Sequence, residues 1–250
     1  MTFEQRSAGP PPEPAPSPVV GSVAPGSAPT PVQLRLQILS TEHWSLLASR
    51  GLAWNESFSR ASMYLSTLSG SIVALSLIGG IDGFHDAFFV AALVLLPVDL
   101  FVGIGTWLRM GATNYHDAVA VFGMNRIRAA YLEMAPDLAP YFVMGVHDDA
   151  PGVGITMAVP PGTAPIVHLI AGTPTLVMVL NAVVAGALTA LVLFRFAATD
   201  SIVTLAGALL VAVAVLAGQM ISARSKIRRG QMALQPMFPT PTPTGDETRA

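Results

Sequence analysis

Asp99 is the residue of this chain best placed to do chemistry. It sits in LLPVDLFVG, an apolar run with no other charge, roughly 15 Å from the flank marked by Arg109. An aspartate near the centre of a membrane helix costs about 2.5–3.5 kcal/mol on insertion scales, so it should face protein or water. Ser69 and Ser71, with Thr67, fall at comparable depth on the preceding run if the two runs are antiparallel. Asn181 lies about 9 Å inside a third run. Asp99, Ser69, Ser71 and Asn181 could thus line a proton or cation pathway. They could equally be packing polar groups, with a protonated Asp99 hydrogen-bonded to a serine and tying two helices together.

Other chemistry is thin. Of the five histidines (His43, His85, His116, His147 and His168), no two stand four residues apart, and only His147-Asp148-Asp149 clusters with carboxylates. That tripeptide runs into Ala-Pro-Gly and reads as a turn, which needs no metal. With no cysteine there is no disulfide, thiolate ligand or thiol nucleophile. Arg224, Lys226, Arg228 and Arg229 form a basic cluster, but without the aromatic platforms that nucleic-acid binding uses. Gly103 and Gly105 form a GxG inside an apolar helix, where it cannot cradle a phosphate. No nucleophile–base set or catalytic carboxylate pair can be named, so no catalytic residue, metal site or cofactor is expected.

The elements that must position Asp99 are four apolar stretches, 63–81, 87–108, 175–194 and 202–221. A helix of twenty residues covers about 30 Å, the thickness of the hydrocarbon core, and only a helix satisfies its own backbone there. The composition agrees: 52% of residues are hydrophobic and 11% charged, against roughly 25% charged in a soluble domain. The expected fold is an all-α membrane protein, with four transmembrane helices in two hairpins and amphipathic cytoplasmic helices.

Basic residues orient it. Counted by alternate segments, twelve of the 13 arginines and lysines fall on one side and only Arg195 on the other. Both termini and the central segment should therefore be cytoplasmic, in a multi-pass protein of the plasma membrane. Ser66, Gly70 and Ala74 on the first span, and Ala182, Gly186 and Ala190 on the third, recur every four residues as small side chains do where helices approach closely.

The chain then divides into six parts. Residues 1–32 are a Pro/Ala-rich tail expected to be disordered. Residues 33–60 are an amphipathic helix, with Ser40 as N-cap and an apolar stripe of Trp44, Leu47, Trp54 and Phe58. Residues 61–110 form the first hairpin. Residues 111–172 hold a helix over 116–134, a shorter one over 138–146 and a Gly/Pro-rich loop. Residues 173–223 form the second hairpin, opened by Pro174. Residues 224–250 are a basic stretch and then a tail, disordered from Gln235. Span two should continue through Gly111 as one rod to Met134, packing on the first helix so that Trp44, Leu47, Met124 and Ile127 are hidden from water.

The segments ILSTEHWSLLASR (38–50), GMNRIRAAYLEM (123–134), HDD (147–149) and TPTLVMVLNAVVAG (173–186) resemble a group of actinobacterial four-span integral membrane proteins of unknown function, over roughly residues 38–221. That resemblance implies a fold and transfers no functional residue. A more distant architectural likeness is to two-span membrane effector domains of nucleotide-signalling conflict systems. The partners expected are the lipid bilayer, a cytoplasmic protein and a second copy of the chain, with no nucleic acid. The leading expectation is a structural or accessory protein presenting cytoplasmic helices to a partner. The alternative is a small homo-oligomeric channel or transporter using Asp99; an enzyme comes last.

Overall fold

The computed structural model describes residues 30–158, 172–197 and 200–241, and all regular structure among them is helical. Helix α1 runs from Val32 to Asp82 and α2 from Asp86 to Met134. A six-residue 3-10 turn, Pro136–Tyr141, and a short α3, Ala150–Thr156, follow. Helix α4, Thr173–Val192, ends in a π-helical turn, Leu193–Ala197, and α5 runs from Ser201 to Ala233. Among the described residues four helices are long and apolar enough to cross a membrane.

The turn between α1 and α2 depends on Gly83, whose φ of 64° is left-handed and whose N–H caps Gly79 O at 3.0 Å. The next residue, Phe84, also has positive φ, and its ring lies on Gly79, where an added Cβ would stand 3.0 Å away. With that turn α2 runs back along α1 in steady register. Ser71 meets Asp99, Glu56 meets Arg109, Arg50 meets Asp117 and Arg35 meets Glu133. Pro136 ends α2, since proline cannot continue the backbone ladder. Pro174 sits in the first turn of α4, where a missing N–H costs nothing. Gly186 lets α4 press against α5, a Cβ there standing 3.1 Å from Ala208 O and 3.2 Å from Ala212 Cβ. The buried centre consists of Tyr64, Leu68, Trp107, Met110, Val177, Met178 and Val184.

Several expectations change. The first helix begins at Val32 rather than at Ser40, and the Thr41 hydroxyl bonds back to Gln37 O inside it. The expected rod is present, α2 passing Gly111 unbroken to Met134, and α1 and α5 likewise run through 60/61 and 223/224 without a helix end. Residues 138–146 are not an α-helix: the 3-10 turn Pro136–Tyr141 covers the start and the rest has no regular structure. Met124 and Ile127 are buried, but Trp44 is 67% and Leu47 42% exposed. The face of α1 that meets α2 instead carries Leu46 against Gly123 and His43 against Tyr131. Ser66 and Gly70 point away from the other helices, with nothing within 4 Å of a Cβ built at Gly70, while Ala74 is half-buried. The α1 face that packs carries the buried Tyr64, Leu68 and Ser71, and the bulk of Tyr64 fills the gap at Gly103. The segment from Gln235 to Thr240, expected to be disordered, is bound to the rest of the chain (below). Residues 159–171 of the expected Gly/Pro-rich loop and most of both tails lie outside the described residues.

Candidate functional site

Asp99 is fully buried, and Ser71 Oγ donates to its Oδ1 at 3.1 Å. Ser69 is exposed on the opposite side of α1 and takes no part, because two residues of helix rotate a side chain by about 200°. The Thr67 hydroxyl is spent on Met63 O in its own helix. Asn181 is fully buried too, but it comes in beside Gly103, one turn along α2 from Asp99. A Cβ at Gly103 would collide with Asn181 Oδ1 and stand 2.8 Å from the Tyr64 hydroxyl oxygen. Tyr64, Asn181 and Asp99 thus bring α1, α4 and α2 together in one polar patch at membrane depth. Tyr64 Oη, Asp99 Oδ2 and both amide atoms of Asn181 have no hydrogen-bond partner among the described residues. Tyr64 was missed in the sequence; its signal was the glycine it needs on the facing helix. Because Asp99 is held by one neutral hydroxyl, Asp99→Leu is expected to cost little, about 0.6 kcal/mol, in detergent unfolding. A loss several times larger would mean that Asp99 is held by more than Ser71.

Beyond the spans the α1–α2 pair is braced by charge. Arg50 Nε donates to Asp117 Oδ1 at 2.7 Å, and the Trp54 indole N–H to the same oxygen at 3.2 Å. Glu56 accepts from Arg109 Nε at 2.7 Å and Arg60 Nε at 3.0 Å, and these guanidinium contacts, Arg109 first, hold its carboxyl down at about 2. Trp44, Leu47, Leu52, Trp54 and Phe58 remain exposed on the outer side of α1. Trp44, Leu47, Trp54 and Phe58 follow the alternating three- and four-residue spacing of a coiled-coil seam, with Gly51 in the remaining place. Trp44 stands about 25 Å along the helix from Ala61.

At the far end of α2, two of the motifs singled out in the sequence meet. Asn125 Nδ2 donates to His147 O at 2.7 Å, and its Oδ1 accepts from Thr156 Oγ1 at 2.7 Å and Arg128 Nη1 at 2.8 Å. Arg126 Nε donates to the buried Asp148 at 2.7 Å while its guanidinium lies over the Phe122 ring. Asp149 accepts from Gly152 N at 3.0 Å and so starts α3. Glycines at 145 and 152 allow this loop to close on itself, since a Cβ at either would strike the carbonyl of Gly152 or His147. His147 contributes only its backbone, and no metal-holding group of three ligands occurs among the described residues. No family model, curated protein or solved structure matches the chain.

Proposed function

We propose that this is a four-span protein of the plasma membrane, with both termini cytoplasmic, whose α1–α2 rod carries an apolar face to a partner protein. The observation that carries the reading is the exposed seam from Trp44 to Phe58 on a rod braced from behind. At 51 residues, α1 is about 76 Å long, more than twice the depth of the hydrocarbon core, so Trp44 and Leu47 stand in water. Large apolar side chains left in water on a rigid helix are what an amphipathic partner helix buries.

Orientation is supported by where the charges gather. Lys226 lies 5.2 Å from the Trp107 ring, near Arg109, so the basic end of α5 stands beside those of α1 and α2. Among the described residues only Arg195 is at the other end, paired with Asp86 at 3.0 Å. This is the asymmetry that retains arginine-rich segments in the cytoplasm. In this reading the two helix pairs are membrane hairpins and the rod is their cytoplasmic extension. A channel built between copies would need Asp99 on a shared surface, and its burial inside one chain supports packing instead.

The test uses the full chain in cells, with a photo-crosslinking residue at position 44 or 47 and a lipid-facing control at Leu205. Protein adducts from 44 and 47, lost on Phe58→Glu with insertion intact, are expected. Adducts to lipid alone would overturn the docking face. Reporter fusions after Arg50, Gly83, Pro151, Asp200 and Gly230 should read in, out, in, out and in; an outside reading at Pro151 would overturn the topology.

A further inference from the structure

After α5 the chain turns back and lies across the far end of α2. Arg126 Nη2 donates to Gln235 O at 2.6 Å. Met237 N and Phe238 N donate to the two carboxylate oxygens of Asp148 at 2.9 and 2.7 Å, and Asp148 N returns a bond to Phe238 O at 3.2 Å. Thr240 then spends both its donors on Asp149, N–H to Oδ2 at 2.6 Å and hydroxyl to Oδ1 at 2.9 Å. The partners lie 89 to 109 residues apart in the chain, so this is a tertiary latch. Four of its bonds are accepted by the carboxylates of Asp148 and Asp149, so they are charge-assisted and among the stronger kind.

The latch has one chemically open position. Thr240 is exposed, lies in no helix and precedes Pro241, which favours an extended backbone before it. We propose that Thr240 is a phosphorylation site and that its phosphate opens the Asp148–Asp149 latch. In the modification Thr240 Oγ1 attacks the γ-phosphorus of a nucleoside triphosphate on a protein kinase. The new O–P bond forms as the bond to the diphosphate breaks, and the hydroxyl proton passes to the kinase's base. The esterified oxygen has no proton to donate to Asp149 Oδ1, and the phosphate on it brings a charge near −2 up against a carboxylate. Phosphate beside an acidic partner disrupts by like-charge repulsion. The segment is modified while transiently detached, and the phosphate then disfavours return. Opening uncovers Asp148 and the Arg126 guanidinium and frees the C-terminal end of α5.

The experiment takes the full chain in lipid nanodiscs, with Mg-ATP and a protein kinase that accepts threonine before proline. Mass spectrometry locates the phosphate, and hydrogen exchange follows the amides of Met237, Phe238 and Thr240. Slow exchange before modification, phosphate on Thr240, and exchange at least about tenfold faster afterwards are expected, tenfold corresponding to roughly one hydrogen bond. Thr240→Val keeps the N–H bond and should stay protected and unmodified at that position. Phosphate on Thr240 with protection unchanged would overturn the proposal. So would modification confined to Thr242, no modification at all, or amides that exchange freely from the start.

Discussion

Gly103→Ala is expected to destabilise the chain by about 1–3 kcal/mol, a large effect for one methyl group. The cause is the junction of three helices. The new Cβ would collide with Asn181 Oδ1 and come within 2.7 Å of Tyr64 Cζ, and both neighbours are fully buried with no room to withdraw. In lipid, where packing rather than water exclusion holds helices together, forcing α2 away from α1 and α4 at this level would loosen the contact that centres on Tyr64. Asn181→Ala should give much of the loss back by clearing the obstruction. In a double-mutant cycle the two changes should couple by about 1 kcal/mol or more, whereas unrelated sites add. Unfolding in mixed micelles measures all four proteins. A Gly103→Ala protein as stable as wild type, with additive effects, would show that the helices do not approach this closely.

The same junction shows what could be read in advance. Length and hydropathy placed the spans, because a membrane helix must be both long and apolar. The meeting of Asp99 with Ser71 was legible since a short turn fixes antiparallel depth. Which of two neighbouring serines takes part was not, because Ser69 and Ser71 share a depth and differ only in helix rotation. The small-residue stripe through Ser66 and Gly70 misled for the same reason. A helix offers several four-residue stripes, and the packed one was chosen by the bulk of Tyr64 facing the absence of bulk at Gly103. Periodicity found the apolar seam from Trp44 to Phe58 but could not say that α2 uses the adjoining face, where Arg50 reaches Asp117. The latch was least legible of all. Proline-rich composition argues correctly that a segment cannot build its own core, and says nothing of carboxylates 89 residues away that accept its backbone.

Asp148→Ala is expected to open the far end of the rod while leaving the spans in place. The carboxylate is fully buried, and burial pushes it up. The amides of Met237, the guanidinium of Arg126 and the amide of Phe238 outweigh that and hold it below the usual carboxylate range. Removing it leaves two backbone donors and a guanidinium without their acceptor at once. Breaking a buried pair from one side costs about 3–5 kcal/mol. Arg126 is 34% exposed and can rehydrate, so about 2–3 kcal/mol is the expected local loss. The damage should follow the bonds. Exchange should quicken over 145–156 and 235–240, where Asn125, Arg126 and Arg128 grip the loop, and stay slow around Tyr64 and Met178. The lowered pKa adds a pH signature. A carboxyl held below its unfolded value stabilises above that value and ceases to do so as pH falls through the folded one. Wild type should therefore lose protection at 237–240 on acidification below about pH 4, and Asp148→Ala should already lack most of it at neutral pH. Unchanged exchange at Met237 and Phe238 in Asp148→Ala would mean that the segment is held by something other than this carboxylate.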